Sequence, residues 1–123
     1  MITHVGIYVE SLEKSDSFYR PLLETIGYKV FFDLPKFVAY EKEGLFEIYE
    51  GKSPTQNLHI AFKAKSKEEV KKFFDKALEL GATNNGEPGY RDYLPGYYAA
   101  FVIDLNGHNV EALYMDPDVK ETI

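Results

Sequence analysis

The chain contains no cysteine. Disulfides and thiolate metal ligands are therefore excluded, and a cytoplasmic setting is expected. No stretch approaches the roughly 18 apolar residues of a membrane-crossing helix, so no transmembrane segment is expected. Positive charge is scarce: 14 Lys and Arg stand against 20 Asp and Glu, a formal net charge of −6. Nucleic acid and anionic membranes are therefore poor partners. Met1-Ile2-Thr3-His4 enters a strand pattern directly, with neither a basic region nor a cleavage site, and no signal peptide is expected.

What is present fits a globular protein. The 123 residues, 45% hydrophobic and 28% charged, suit one domain spanning residues 1–123. Ten Tyr and nine Phe provide rings that can line a pocket or form the amphipathic edges of a core.

The main organising feature is an internal echo. With His59 laid over His4, His4-Val5-Gly6-Ile7 matches His59-Ile60-Ala61-Phe62. Ser11 then matches Ser66, Glu13 matches Glu68, Phe18-Tyr19 matches Phe73-Phe74, and Leu23-Glu24 matches Leu78-Glu79. Gly27 meets Gly81 after a slip of one residue. A repeat of this kind means two copies of one supersecondary unit, here modules of about residues 1–51 and 57–115.

Each copy opens with an alternating segment. Val5, Ile7 and Val9 share one face and His4, Gly6 and Tyr8 the other; Ile60, Phe62 and Ala64 oppose His59, Ala61 and Lys63 in the same way. Ser11 can cap a helix running to about Ile26, with Gly27 closing it and Pro21 expected to disturb it. Ser66-Lys67-Glu68-Glu69 reads as a capping box opening a second helix, whose stripe is Val70, Phe73, Phe74, Ala77 and Leu78. Strands are expected at Tyr28–Asp33, Phe37–Lys42 and Leu45–Glu50, and again at Tyr97–Asp104 and Asn109–Tyr114. The Gly-, Pro- and Asn-rich stretch Asn84–Gly96 reads as a long loop, and Ser53–Asn57 as a polar linker. The order is βαβββ twice. An α+β fold follows, with two mixed sheets curling into a cup and the helices outside.

Face parity then selects candidate ligands. Val110 and Ala112 belong against a helix, which turns Glu111 to the cup; Phe46 and Ile48 do the same for Glu47. The two glutamates are not perfectly matched, since Glu47 follows Gly44 by one residue fewer than Glu111 follows Gly107. His4, His59, Glu111 and Glu47 form a nitrogen and oxygen donor set for a divalent ion (Zn, Ni, Co, Mn or Fe) with open positions. Arg91 lies in the long stretch among tyrosines, either on a mobile lid where its guanidinium pairs with a substrate carboxylate or phosphate, or as a surface Arg stacking on Tyr. Tyr8, Tyr49, Lys63 and Tyr97 are candidates to line the pocket. His108, in a hairpin turn, reads as facing solvent.

Ile2-Thr3-His4-Val5-Gly6-Ile7-Tyr8-Val9, Phe18-Tyr19, Gly27-Tyr28, Leu58-His59-Ile60-Ala61-Phe62, Asp104-Leu105-Asn106-Gly107-His108 and Val110-Glu111-Ala112 together resemble the vicinal oxygen chelate superfamily. That superfamily comprises glyoxalase I, fosfomycin-resistance thiol transferases, bleomycin-resistance proteins and extradiol dioxygenases. Asn85–Arg91 with Tyr97–Phe101 is similar to a narrower group of small bacterial glyoxalase-like proteins. The resemblance implies paired βαβββ modules and a divalent metal at the positions of His4, His59 and Glu111, with Glu47 at the fourth position used by glyoxalase I. It also implies a small-molecule substrate and, by analogy, a homodimer. Asp104-Leu105-Asn106-Gly107 departs from the family's Asp-Pro-Asp-Gly turn, and no clear cluster of cations is present for the two carboxylates of glutathione.

The function implied is a metal-dependent lyase or isomerase acting on vicinal oxygens through an enediolate, with Glu111 or Glu47 moving the proton. Two alternatives remain at this level: an extradiol-type dioxygenase using two His and one Glu, and a metal-free binding protein of the resistance type.

Overall fold

The computed structural model describes residues 1–121. The chain falls into two compact units, Met1–Gln56 and a second beginning at Asn57. Each follows the order βαβββ. The first holds β1 (His4–Val9), α1 (Leu12–Glu24), β2 (Lys29–Leu34), β3 (Phe37–Glu41) and β4 (Leu45–Glu50). The second holds β5 (His59–Lys63), α2 (Lys67–Glu79), β6 (Thr83–Tyr90), β7 (Tyr97–Ile103) and β8 (Asn109–Met115).

Each unit forms one four-stranded mixed sheet, ordered β1-β4-β3-β2 and β5-β8-β7-β6. The first and last strands of each unit run parallel and the others antiparallel. A parallel neighbour needs a long crossover, and the helix with two further strands provides it.

The helices start where their side chains can satisfy exposed backbone donors. The Ser11 side chain accepts from the Lys14 N–H at 3.2 Å, and Ser66 from the Glu69 N–H at 3.1 Å. Glu69 reaches back to the N–H of Lys65 at 2.9 Å, one residue before the reciprocal partner of a standard capping box. α1 continues through Pro21, which supplies no N–H to the preceding turn. Each helix covers one face of its own sheet. Phe18, Tyr19, Leu22 and Leu23 are buried with Ile7, Val9, Phe46 and Ile48 in the first unit; Val70, Phe73 and Ala77 with Phe62, Val110 and Ala112 in the second.

Register settles the mismatch between the glutamates. Glu47 pairs with Gly6 and Glu111 with Ala61, the same positions of the repeat. The turns differ because Glu43, at φ 63°, takes the left-handed place that Gly107 holds at φ 87°. Counted from those residues, the glutamates are equivalent. Supporting contacts repeat as well: the Leu45 N–H donates to Thr3 O and the Asn109 N–H to Leu58 O, both at 3.0 Å.

Two expectations are corrected. The first half of Asn84–Gly96 is strand, not loop: Thr83–Tyr90 pairs with β7 through two register shifts. Gly86, at φ 152°, and Pro88 accommodate the irregularity that hid the strand from an alternation test. His108 does not face solvent. It is 1% exposed, its Nδ1 accepts from the Leu58 N–H at 3.2 Å, and its Nε2 finds no partner among the described residues. Asp104 holds the turn that buries it, one carboxylate oxygen accepting the N–H groups of Asn106 and His108 at 2.8 Å each.

Candidate functional site

The sheet face opposite α2 carries His59, Glu111 and Tyr97 as a connected group. Register puts Glu111 between Ala61 of β5 and Phe101 of β7. Ala61 has almost no side chain, which lets the His59 ring lie diagonally toward the carboxylate. His59 Nε2 stands 2.9 Å from Glu111 Oε1. The Tyr97 hydroxyl donates to Glu111 Oε2. Glu111 itself is 1% exposed, whereas the His59 side chain is 54% exposed. The pair therefore joins a buried carboxyl group to an open imidazole. Burial and the adjacent carboxylate both push the Tyr97 hydroxyl pKa upward, so the hydroxyl stays a donor.

Around this group, the His59 ring lies 6.2 Å from that of Phe101, and the Arg91 guanidinium sits over Phe101 at 5.4 Å. Arg91 is fastened to its own strand end, donating to Gly89 O at 2.9 Å and Glu87 O at 2.8 Å. The ring that its guanidinium faces is Phe101, and not one of the neighbouring tyrosines. Lys63 is exposed on β5, on the same side as His59.

The first unit builds the equivalent face differently. Glu47, 8% exposed, receives the Tyr49 hydroxyl on Oε1 at 2.9 Å. Burial first, then Glu47, raises the Tyr49 pKa. A methyl on Gly6 would lie 3.1 Å from Tyr49 and 3.5 Å from Glu47, so the missing side chain is what admits this pair. His4 is exposed at the head of β1, its Nδ1 3.0 Å from the Thr3 hydroxyl. Tyr8, 52% exposed, tilts against Tyr49 at 5.4 Å. Tyr49 stacks on Phe37 at 4.6 Å, and Phe37 meets Phe32 at 5.8 Å. A row of rings thus crosses the sheet from β1 to β2.

Phe37, Phe32 and Phe101 are parts of these faces that the sequence reading missed. The available signal was cross-strand alignment, which places Phe37 beside Tyr49 and Phe101 beside Glu111 once the hairpins are closed. Tyr49 and Tyr97 were expected to line a pocket; both are hydrogen-bonded to the candidate carboxylates.

The donor chemistry suits a divalent ion. The 2.9 Å between His59 Nε2 and Glu111 Oε1 is that of a hydrogen bond between two groups that are each metal-ligand types. Among the described residues, no three His, Asp or Glu side chains form a ready metal cage.

Residues 1–112 match the glyoxalase/bleomycin resistance protein/dioxygenase superfamily. No curated protein matches the chain. Among solved structures, a glyoxalase/bleomycin resistance protein from Albidiferax ferrireducens is similar at 28% identity and TM-score 0.83, over 94% of this chain and 99% of that one. A glyoxalase-related enzyme from Fulvimarina pelagi has 17% identity and TM-score 0.72, over 100% and 97% of the two chains. A lactoylglutathione lyase from Agrobacterium tumefaciens has 18% identity and TM-score 0.68, over 93% and 92%. The last two likenesses show the fold alone. With its matched sequence covering both modules, the chain belongs to the glyoxalase/bleomycin resistance protein/dioxygenase superfamily.

Proposed function

We propose that the protein is a metal-dependent lyase or isomerase of the glyoxalase type, acting on a small substrate with two adjacent oxygens. The supporting observation is the buried Glu111 carboxylate held against the open His59 imidazole. The donors proposed for a divalent ion are His59 and Glu111 in the second unit, with His4 and Glu47 assigned the same role in the first. When bound, a divalent ion supplies a Lewis acid that favours negative charge on a carbonyl oxygen. The chain's own part is proton transfer, with Glu47 or Glu111 as the carboxylate that takes a proton from the carbon next to that carbonyl. Arg91, Tyr8, Tyr49, Lys63 and Tyr97 are assigned to substrate, and the protein acts as a homodimer.

Elemental analysis after cobalt, nickel or zinc loading tests the first step. About one ion per chain is expected, with its loss in His59→Ala together with turnover of a 2-oxoaldehyde–thiol adduct. Stoichiometric metal retained in His59→Ala would overturn the assignment.

A second reading rests on the ring row from Tyr8 through Tyr49 and Phe37 to Phe32. Such a surface suits a planar, cationic guest in a resistance-type binding protein without a metal. Tight binding of an aromatic cation by protein that takes up no ion would select it. Oxygen uptake with a catechol after anaerobic iron loading would instead select the extradiol-type reaction.

A further inference from the structure

The two candidate carboxylates are held unequally, and the difference lies in one tyrosine. Glu47 has a hydroxyl on Oε1 only, and Oε2 accepts no hydrogen bond among the described residues. Glu111 is engaged at both oxygens, Oε1 with His59 and Oε2 with Tyr97. Tyr97 comes from a different strand, so its hydroxyl restrains Glu111 across the sheet.

The backbone beneath Tyr97 is unusually constrained. Gly96 adopts φ 81°, and a methyl there would stand 2.3 Å from the Asp116 carbonyl oxygen. Only glycine fits so close an approach. The Asp116 N–H donates to Gly96 O at 2.8 Å, the Arg91 N–H to Tyr97 O at 2.7 Å and the Tyr97 N–H to Leu94 O at 3.2 Å. The Tyr93 ring packs edge-on against Tyr97 at 5.1 Å. The phenol is thus aimed by a clamped main chain and a neighbouring ring.

We infer that Tyr97 is a positioning residue: it ties down Glu111 Oε2 so that the carboxylate presents Oε1 alone, beside His59. The benefit for metal binding rests on Glu111 being a ligand, as proposed above; the positioning of Glu111 against His59 does not. Groups that orient ligands in this way commonly change metal affinity about 10- to 100-fold when removed.

Tyr97→Phe keeps the ring and removes the hydroxyl. In metal-free protein at fixed pH, the His59 Nε2 resonance is expected to shift in Tyr97→Phe, because the released carboxylate rotates away from Oε1 contact. It should stay in place in Tyr93→Phe, whose hydroxyl does not touch Glu111. An unmoved His59 resonance in Tyr97→Phe overturns the inference. With Co(II) as probe, Tyr97→Phe is expected to bind at least about tenfold more weakly and to show an altered visible spectrum as Oε2 becomes available to the ion. Wild-type affinity and spectrum in the variant also overturn it. Failure of the wild-type protein to take up Co(II) sinks the metal-dependent function instead, and the His59 resonance still decides the role of Tyr97.

Discussion

Set side by side, the two units share topology and differ in what their open sheet faces carry. Tyr8, Tyr49 and Phe37 are aligned across the first sheet; the corresponding positions of the second are Lys63, Leu113 and Ala99. The first face is a ring surface with Glu47 at its side. The second replaces large rings with small or flexible residues and concentrates its polarity in His59, Glu111 and Tyr97. The edge strands differ too. Every residue of β2 is exposed, including Phe31 and Phe32, and its pairing shifts register once, whereas β6 shifts twice and carries Pro88. Bulges and proline discourage further pairing at an edge. A duplicated scaffold can therefore diverge face by face while its helix-covered side stays apolar, because the core constrains volume and the open face does not.

The largest expected contrast lies beneath the faces. Phe46 and Val110 occupy equivalent positions, directly before the two glutamates, and both are buried. Phe46→Ala should cost about 3–5 kcal/mol and Val110→Ala about 1–3 kcal/mol, because the larger ring leaves the larger cavity. Urea unfolding monitored by tyrosine fluorescence measures both. Equal losses would mean that the two cores relax differently around a void.

Smaller effects are expected at two glycines of the second unit. Gly96→Ala meets the Asp116 backbone and a positive φ together and should lose about 2–4 kcal/mol. Gly107 has a positive φ with nothing within 4 Å, so Gly107→Ala should lose about 1–2 kcal/mol. Thermal melts of the two variants separate steric clash from backbone strain.

The smallest effect concerns acid stability. The Tyr90 hydroxyl, with the Asp118 N–H and Lys67, holds the Asp116 pKa below its ordinary value. In the first unit Lys36 and the Leu12 N–H lower that of Glu50. A lowered folded-state pKa contributes stability above the ordinary value of the group, and that stability is lost as pH falls through the folded value. Asp116→Asn and Glu50→Gln should each flatten the decline of stability below about pH 4, a range set by ordinary carboxylate pKa values. A variant whose acid melting curve parallels the wild type would remove its carboxylate from that account.

Much of the fold was legible because the repeat and the alternation are local. His4 through Val9 shows its two faces as expected, with Ile7 and Val9 buried and His4, Gly6 and Tyr8 exposed. The β6 strand was not legible, since glycine and proline erase a period of two while backbone pairing survives through bulges. His108 was misread because a turn residue is ordinarily wet. The approach of Leu58, distant in sequence, gives its buried ring a hydrogen-bond partner.

Residue order alone was enough for the duplicated plan apart from β6, and for which side of each strand bears His4, Glu47, His59 and Glu111, since side-chain direction follows from strand periodicity. What required three dimensions was the wiring between strands: Tyr97 on Glu111, and Arg91 over Phe101. Those contacts depend on distances between strands and on where bulges and left-handed turns set the register, which no local pattern encodes.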